Sequence, residues 1–452
     1  VAQRGTNKVI DLKLLFEAGR KAGLSEMEVY LVEDESFSCK VFKQMVDSYS
    51  VSVTRGLSFR GLYQGKMGYT YTEKCDNSSI EFLIVSVIAN ATMIEKDDRE
   101  ELYAGDNHYV TLDLYHSELE AITAKDKIEF LKAVEAECLA LDPRVKSVNY
   151  CLFANGTTKL TLKNSKGLDL QQYQNYAYSY VSILVSEHNE NKTEGDYIIS
   201  TDFKQYDPKS FAQKLVSAAL SQLGATKIKS GLYPILLKNK VAGSILAAMS
   251  DCFSAESVQK DLSRLKGKLE DDIASSLVTI IDDPHLKDGL NSAAFDGEGV
   301  ATYPKEVVAA GILKTYFHSL ATAKTFKVRP TGNGFRSGFK SPVAISPSNM
   351  YIKPHKTSFD QLTGLIKDGI YITDVQGLHA GLNSISGDFS LSANGFLIKN
   401  GQISTPIHEM TVAGNFFDLL QKVKGISHDL HFGASNFGSP SLWIESLTVA
   451  GE

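Results

Sequence analysis

The run Ser386–Gly414, SGDFSLSANGFLIKNGQISTPIHEMTVAG, constrains this chain most. Two strand-like stretches, Phe396–Lys399 and Ile403–Val412, flank the dipeptide Asn400-Gly401. A type I′ turn needs positive φ at both central residues, and Asn-Gly tolerates that at little steric cost. The spacing therefore predicts a tight β-hairpin.

The rest of the chain reads as α+β. Val9–Ala22 has helical apolar spacing. Val29–Tyr71 alternates, with Gly56, Gly61, Gly65 and Gly68 read as punctuation between short strands. Asn77–Thr92 and Asp126–Leu141 read as helices, the latter closed by Asp142-Pro143. Asp97–Asp106 is acidic and reads as a linker, and strands return over Val145–Ser186. Asp207-Pro208 opens a further helix with an N-cap acid and a proline at the first helical position, and Gly224 closes it. Gly56-Leu57 and Gly167-Leu168 are taken as matching turns in two segments of similar order. That order reads either as an internally duplicated α+β unit or as chance recurrence.

From Ile228 onward the pattern changes. Leu232–Leu237 reads as a short strand and Lys240–Leu265 as one long helix, with Val241, Ile245, Met249 and Phe253 on one face. Strand-rich, glycine-rich sequence then runs to a last strand, Ser441–Val449, which carries Trp443. The expected division is an N-terminal α+β domain (1–105), a central α+β domain (106–227) and a large β-rich C-terminal domain with one long helix (228–452).

Composition excludes several classes. With 452 residues, 43% hydrophobic and 22% charged, the chain suffices for about two to four domains without staples. A net charge of −6 argues against a general nucleic-acid binder. The five cysteines include no C-x-x-C, so scattered thiols in a reducing compartment are expected rather than a disulfide framework or zinc ribbon. The N-terminal residues hold no signal-peptide core, and the longest apolar run, Phe82–Ala91, is too short to span a bilayer. A cytoplasmic protein is expected.

Several words recur in a known order: Asp283-Pro284-His285-Leu286, Phe295-Asp296-Gly297-Glu298-Gly299-Val300, Ala310-Gly311-Ile312-Leu313 and Thr331-Gly332-Asn333. The hairpin run and Leu447-Thr448-Val449-Ala450-Gly451 complete the series. With them the chain resembles the TldD/PmbA (TldE) family, once described as modulators of DNA gyrase and now regarded as cytosolic metalloproteases. The resemblance implies two smaller α+β segments before a β-rich domain, association as a homodimer or as a heterodimer with an HExxxH-bearing TldD-like subunit, and extended or unfolded peptide as substrate. It implies that catalytic members carry HExxxH on the helix after the third domain's first strand, plus a distal cysteine. There imidazoles hold zinc and the glutamate activates water. In this chain the first histidine and the glutamate align with Ala247 and Ala248, the last histidine with Cys252, and the distal cysteine falls in Gly433–Phe437, which contains none. That departure places the chain nearest the PmbA/TldE branch, with no catalytic residue and no cofactor of its own.

An alternative is an active metallopeptidase with relocated zinc ligands drawn from Cys252, His408, Glu409, His428 and His431. Against it, strand geometry points His408 and Glu409 to opposite faces, His428 and His431 flank Asp429 in a polar turn, and Cys252 reads as a core thiol. Asp282-Asp283-Pro284-His285 reads as a turn, and no G-x-S-x-G is present. A third reading is a regulatory binding protein acting on a gyrase or a toxin–antitoxin system.

Val307–Phe359 contains no Asp or Glu but eight Lys and Arg residues. At its centre a glycine-rich loop interleaves phenylalanines with basic side chains. It could clasp an extended peptide or a single strand of nucleic acid, through Lys324, Arg329, Gly332, Asn333, Gly334 and Arg336. Its charges could equally be balanced by acids elsewhere in the fold. Gly332-Asn333-Gly334 is no phosphate loop, and direct nucleic-acid binding is not expected.

Overall fold

A computed structural model describes residues 9–95 and 101–452. The N-terminal half folds around one antiparallel six-stranded sheet ordered β3-β2-β1-β4-β5-β6. Its strands are β1 (Glu26–Phe42), β2 (Met45–Tyr63), β3 (Lys66–Thr72), β4 (Val145–Asn164), β5 (Asp169–Glu187) and β6 (Glu190–Ile199). Helices α1 (Leu12–Lys21), α2 (Ile80–Thr92), α3 (Ser117–Glu120), α4 (Ala124–Leu141) and α5 (Pro208–Leu220) accompany it. Each half of the sheet has a helix before and a helix after three strands: α1 and α2 around β1–β3, α4 and α5 around β4–β6. The halves join where β1 pairs with β4, Glu28–Lys40 against Leu152–Asn164. The order shared by the two segments is thus present, although the 1–105 and 106–227 segments build one sheet rather than two.

Local chemistry explains the helix starts. The Asp207 carboxylate accepts from Ser210 N–H with Pro208 at the first helical position, and Thr123 and Asp126 form a reciprocal capping box at α4. Alternation in β1 sends Met27, Val29 and Leu31 to the core under the first pair of helices, and Cys39 and Val41 to the core under the second. The even-numbered residues Tyr30 and Val32 face the other way, onto Phe295 of the C-terminal half.

Two readings of the glycines change. Gly56 and Gly61 lie inside β2 and Gly68 inside β3, in strands far longer than expected; of these positions only Gly65 is in a turn, at φ +78°. The matching-turn pair fails with them, since Gly56 pairs with Val32 in mid-strand while Gly167, at φ +102°, does turn. Inside the strands these glycines make room for close neighbours. A Cβ at Gly68 would lie 2.0 Å from the Val87 carbonyl oxygen of α2, and one at Gly61 would lie 2.7 Å from the Val87 side chain.

The C-terminal half contains β7 (Gly231–Leu237), α6 (Asn239–Met249), β8 (Ile280–Asp282), β9 (Lys305–Ala309), β10 (Ile312–Leu313), β11 (Gly334–Phe335), β12 (Ala344–Ile345) and β13 (Met350–Ile352). It continues with β14 (Asp368–Gln376), β15 (Asp388–Lys399), β16 (Gln402–Asn415), β17 (Val423–Ile426), β18 (His431–Phe432), β19 (Phe437–Ser439) and β20 (Leu442–Ala450). One sheet runs β16-β15-β14-β7-β20-β17, and a further β16–β20 pairing closes five of its strands into a ring. A second runs β10-β9-β8-β13-β19-β18. The β15–β16 hairpin turns at Asn400 (φ +51°) and Gly401 (φ +75°), as its sequence predicts.

The expected long helix over Lys240–Leu265 is a correction. α6 stops at Met249, and a 3₁₀ turn (Ser250–Phe253) and a short helix (Ala255–Gln259) follow. Beyond Phe253 the backbone bonds to Phe317 instead of continuing the helix: Phe317 N–H donates to Phe253 C=O, and Ala255 N–H donates to Phe317 C=O, both at 2.9 Å. Among the described residues, no helix is long and apolar enough to cross a membrane. Part of the expected 97–106 linker lies outside the described residues; within it Leu102 is buried.

Candidate functional site

The face of the first sheet that bears no helices forms one wall of a groove, and loops of the C-terminal half form the other. In β5 the odd-numbered residues Ala177, Val181, Ile183 and Val185 enter the core, which turns Gln172, Gln174, Tyr176, Tyr178 and Tyr180 to the opposite face. Tyr30, Asp34, Thr158, Gln172 and Gln174 line one cleft of about 590 Å³ against Asn291, Asp296 and Arg336. A second cleft of the same volume follows, walled by Tyr150, Tyr176, Tyr178, Tyr180 and Tyr197 with Leu290 and Ala434 opposite. The two adjoin at Leu290. At 3.3 Å per residue, Gln172 to Tyr180 spans about 26 Å. The tyrosines pack on one another: Tyr180 and Tyr197 ring centroids are 4.5 Å apart, and Tyr150 and Tyr180 5.6 Å apart. Gly156 lets the Tyr176 ring lie flat on β4, since a Cβ there would sit 2.8 Å from the ring.

The floor beside Arg336 is a buried ionic network. Arg336 Nη2 lies 2.6 Å and Arg60 Nη2 2.8 Å from the same Glu28 oxygen, and the Arg336 guanidinium stacks 4.6 Å from the Tyr30 ring centre. Glu28 is fully buried. Asp282, also fully buried, accepts from Asn333 Nδ2 at 2.9 Å and from Ser348 N–H and Oγ at 2.8 Å, and pairs with Lys305 at 3.1 Å. Asp296 accepts backbone N–H bonds from Glu298, Val300 and Gly334. Burial pushes both Asp296 and Glu298 above the usual carboxylate range, and for Glu298 the Asp296 charge adds to it.

Cations of the acid-free stretch pair with acids elsewhere in the fold. Arg336 holds Glu28, Lys340 holds Glu73, Lys314 holds Glu270 and Lys324 holds Glu101. Phe339 lies on the first sheet, where Tyr69 donates to its carbonyl at 2.6 Å. Of the sequence candidates, Arg336 lines the groove, while Asn333 is fully buried under it and Gly334 bonds Asp296. Gly332 sits at φ +68° in the same loop, and Lys324 and Arg329 are exposed on its flank. The loop therefore clasps the chain's own sheet. Sequence reading missed Glu28, Asp296 and the tyrosine face, and it placed Asp282 in a turn although it ends β8; the alternation of Tyr176, Tyr178 and Tyr180 was the available signal.

The alternative zinc ligands are not one site. Cys252 is buried in the C-terminal core, and burial raises its thiol well above the ordinary value. His428 Nδ1 lies 3.3 Å from Thr357 C=O, and His431 sits in β18 beside Lys240 and Asp196. His408 and Glu409 do not point apart as strand geometry predicts. A bulge with Glu409 at φ +55° brings His408 Nδ1 to 3.6 Å from Glu409 Oε1. Among the described residues, no three His, Cys, Asp or Glu side chains form a group able to hold a metal. The aligned positions of α6 and its 3₁₀ extension offer two methyl groups, Ala247 and Ala248, and a buried thiol, a donor set that does not fit zinc.

The comparisons agree with this architecture. Family models described as PmbA/TldA metallopeptidase domain 1, central domain and C-terminal domain match residues 27–91, 117–223 and 230–451. A Haemophilus influenzae protein named Metalloprotease PmbA homolog is 27% identical, over 96% of this chain and 94% of its own length. A Thermotoga maritima structure described as a proposed modulator of a DNA gyrase superposes with TM-score 0.90 at 31% identity, covering 97% of this chain and 99% of that one. The TldE structure from Thermococcus kodakarensis, at 21% identity, shares the fold with TM-score 0.90 over 97% of this chain and all of its own. The chain belongs to the PmbA/TldD family.

Proposed function

We propose that this chain is a peptide-holding, PmbA/TldE-like subunit that does not hydrolyse peptides itself and presents them to an HExxxH-bearing relative, as a homodimer or heterodimer acting in the cytoplasm. The observation that carries the reading is the groove: a tyrosine and glutamine face opposite Leu290, with Ala434 from the segment aligned with the family's distal cysteine. Tyrosine offers an apolar ring and a hydroxyl together, and glutamine amides offer both donors and acceptors to a peptide backbone. An extended peptide of about eight residues matches the span. Ser244 lines a neighbouring cleft, and helical spacing puts Ala247 and Ala248 one turn further on. Bound peptide would thus pass near a helix that here carries no group to activate water.

The test is equilibrium binding of a labelled, mostly apolar octapeptide, with the peptide recovered intact by mass spectrometry. Binding without loss, weakened about tenfold or more by Tyr178→Ala, supports the reading. Equal binding by both proteins, or no binding, removes it.

A further inference from the structure

The groove does not end at the tyrosines. Tyr180 and Tyr197 also line a polar cleft of about 330 Å³ that contains Glu194, Lys238, Lys240, Ser244 and Asp374. A smaller pocket beside it adds Asp196, Lys214 and His431. Three lysines therefore meet where the tyrosine face runs out. Two of them grip one carboxylate: Lys214 Nζ lies 2.8 Å from Asp196, and Lys240 pairs with its other oxygen.

Lys238 is different. It stands between β7 and α6, its backbone N–H bonded to Ile372 C=O, and its ammonium has neither an ion pair nor a hydrogen bond among the described residues. Glu194 lines the same cleft from β6 and is engaged by Gln222; burial raises its pKa, and the Lys238 charge lowers it. Asp374 is hydrogen-bonded by Gln376. Burial and the neighbouring Lys240 lower the Lys238 pKa, while Glu194 and Asp196 raise it without forming an ion pair with its ammonium.

We infer that Lys238 forms a carboxylate-binding subsite at the end of the groove, suited to the C-terminal carboxylate of an extended peptide. Glycine-like termini carry their carboxylate on a narrow stem, which a cleft of this size admits. An acidic side chain presents the same chemistry, so the test separates the two sources. Assignment to a peptide terminus rests on the groove reading above; the carboxylate site itself does not.

The first experiment follows acylation of Lys238 by limiting acetic anhydride on the intact protein, read by peptide mass spectrometry, with exposed Lys125 as the internal reference. N-acetylglycine is expected to slow acylation of Lys238 about tenfold relative to Lys125, while N-acetylglycinamide leaves it unchanged. Equal rates with both compounds overturn the subsite. The second compares octapeptides ending in a free acid, in an amide, and in an amide that follows a penultimate Asp. The free acid is expected to bind wild type about tenfold more tightly than the plain amide, and Lys238→Met to abolish that difference while leaving the amide's affinity unchanged. Tightest binding by the Asp-containing amide overturns the terminal assignment in favour of an acidic side chain. Equal binding of acid and plain amide overturns the subsite. If no peptide binds while N-acetylglycine still protects Lys238, the groove reading falls and the carboxylate site stands.

Discussion

The ring of Phe339 occupies the space a side chain at Gly56 would need: a Cβ there would fall 2.1 Å from Phe339 Cζ. A residue in the middle of β2 thus fixes where a loop nearly three hundred positions later can dock. Gly56→Ala is expected to push the ring off the sheet and to destabilise the chain by about 1–3 kcal/mol, the usual cost of overpacking. Urea denaturation checks this, and Phe339→Ala in the same background should restore part of the loss, since the clash then has no partner.

The Glu28–Arg336 pair carries the second prediction. Both side chains are buried, and Arg60 shares the same carboxylate oxygen. Arg336→Met removes one of two cations and leaves a buried carboxylate with less compensation. A loss of about 3 kcal/mol is expected, measured as a drop in the urea midpoint with an unchanged slope. A change below about 0.5 kcal/mol would show that Arg60 alone satisfies Glu28.

A third prediction concerns pH. His318 is buried beside Phe326, and burial pushes its pKa down to about 4. The unfolded chain binds this proton at about 6.5. Between these values the unfolded state holds more protons, so the His318 contribution is present above about 6.5 and is lost as pH falls toward 4. Asp296 and Glu298, raised by burial, contribute with the opposite sign, because their folded forms keep protons that the unfolded chain releases. The prediction is therefore read as a difference: His318→Phe should show a shallower acid limb than wild type between pH 6.5 and 4 in thermal melts. Parallel limbs would contradict it.

Gly332 gives the fourth. It sits at φ +68°, and a Cβ there would approach the Ala301 carbonyl oxygen to 3.0 Å. Gly332→Ala is expected to cost about 1–2 kcal/mol from the backbone conformation. It should also loosen Asn333 from Asp282, visible as faster amide exchange at Gly334 and Ser346.

Local chemistry was legible in the sequence and long-range geometry was not. Asn400-Gly401, the Asp207-Pro208 start of α5 and the core placement of Cys252 each depend on a few neighbouring residues, and each is found as read. Gly56 was misread because a glycine that admits a distant ring and a glycine that turns the chain look alike until the ring is known. Asp282 looked like part of a turn because Asn333 and Ser348, its partners, lie 51 and 66 positions away. The partner of Arg336 was hidden because Glu28 lies 308 positions away. The bulge at Glu409 overrode strand alternation with a single positive φ, which no residue pattern in that strand announces.

The most direct test of the account is metal content by elemental analysis of the purified chain, run beside a peptide-cleavage assay with and without chelator. The account predicts zinc far below one per chain and no chelator-sensitive cleavage, with cleavage arising only when an HExxxH-bearing relative is added. Zinc near one per chain with chelator-sensitive cleavage by this chain alone would contradict it.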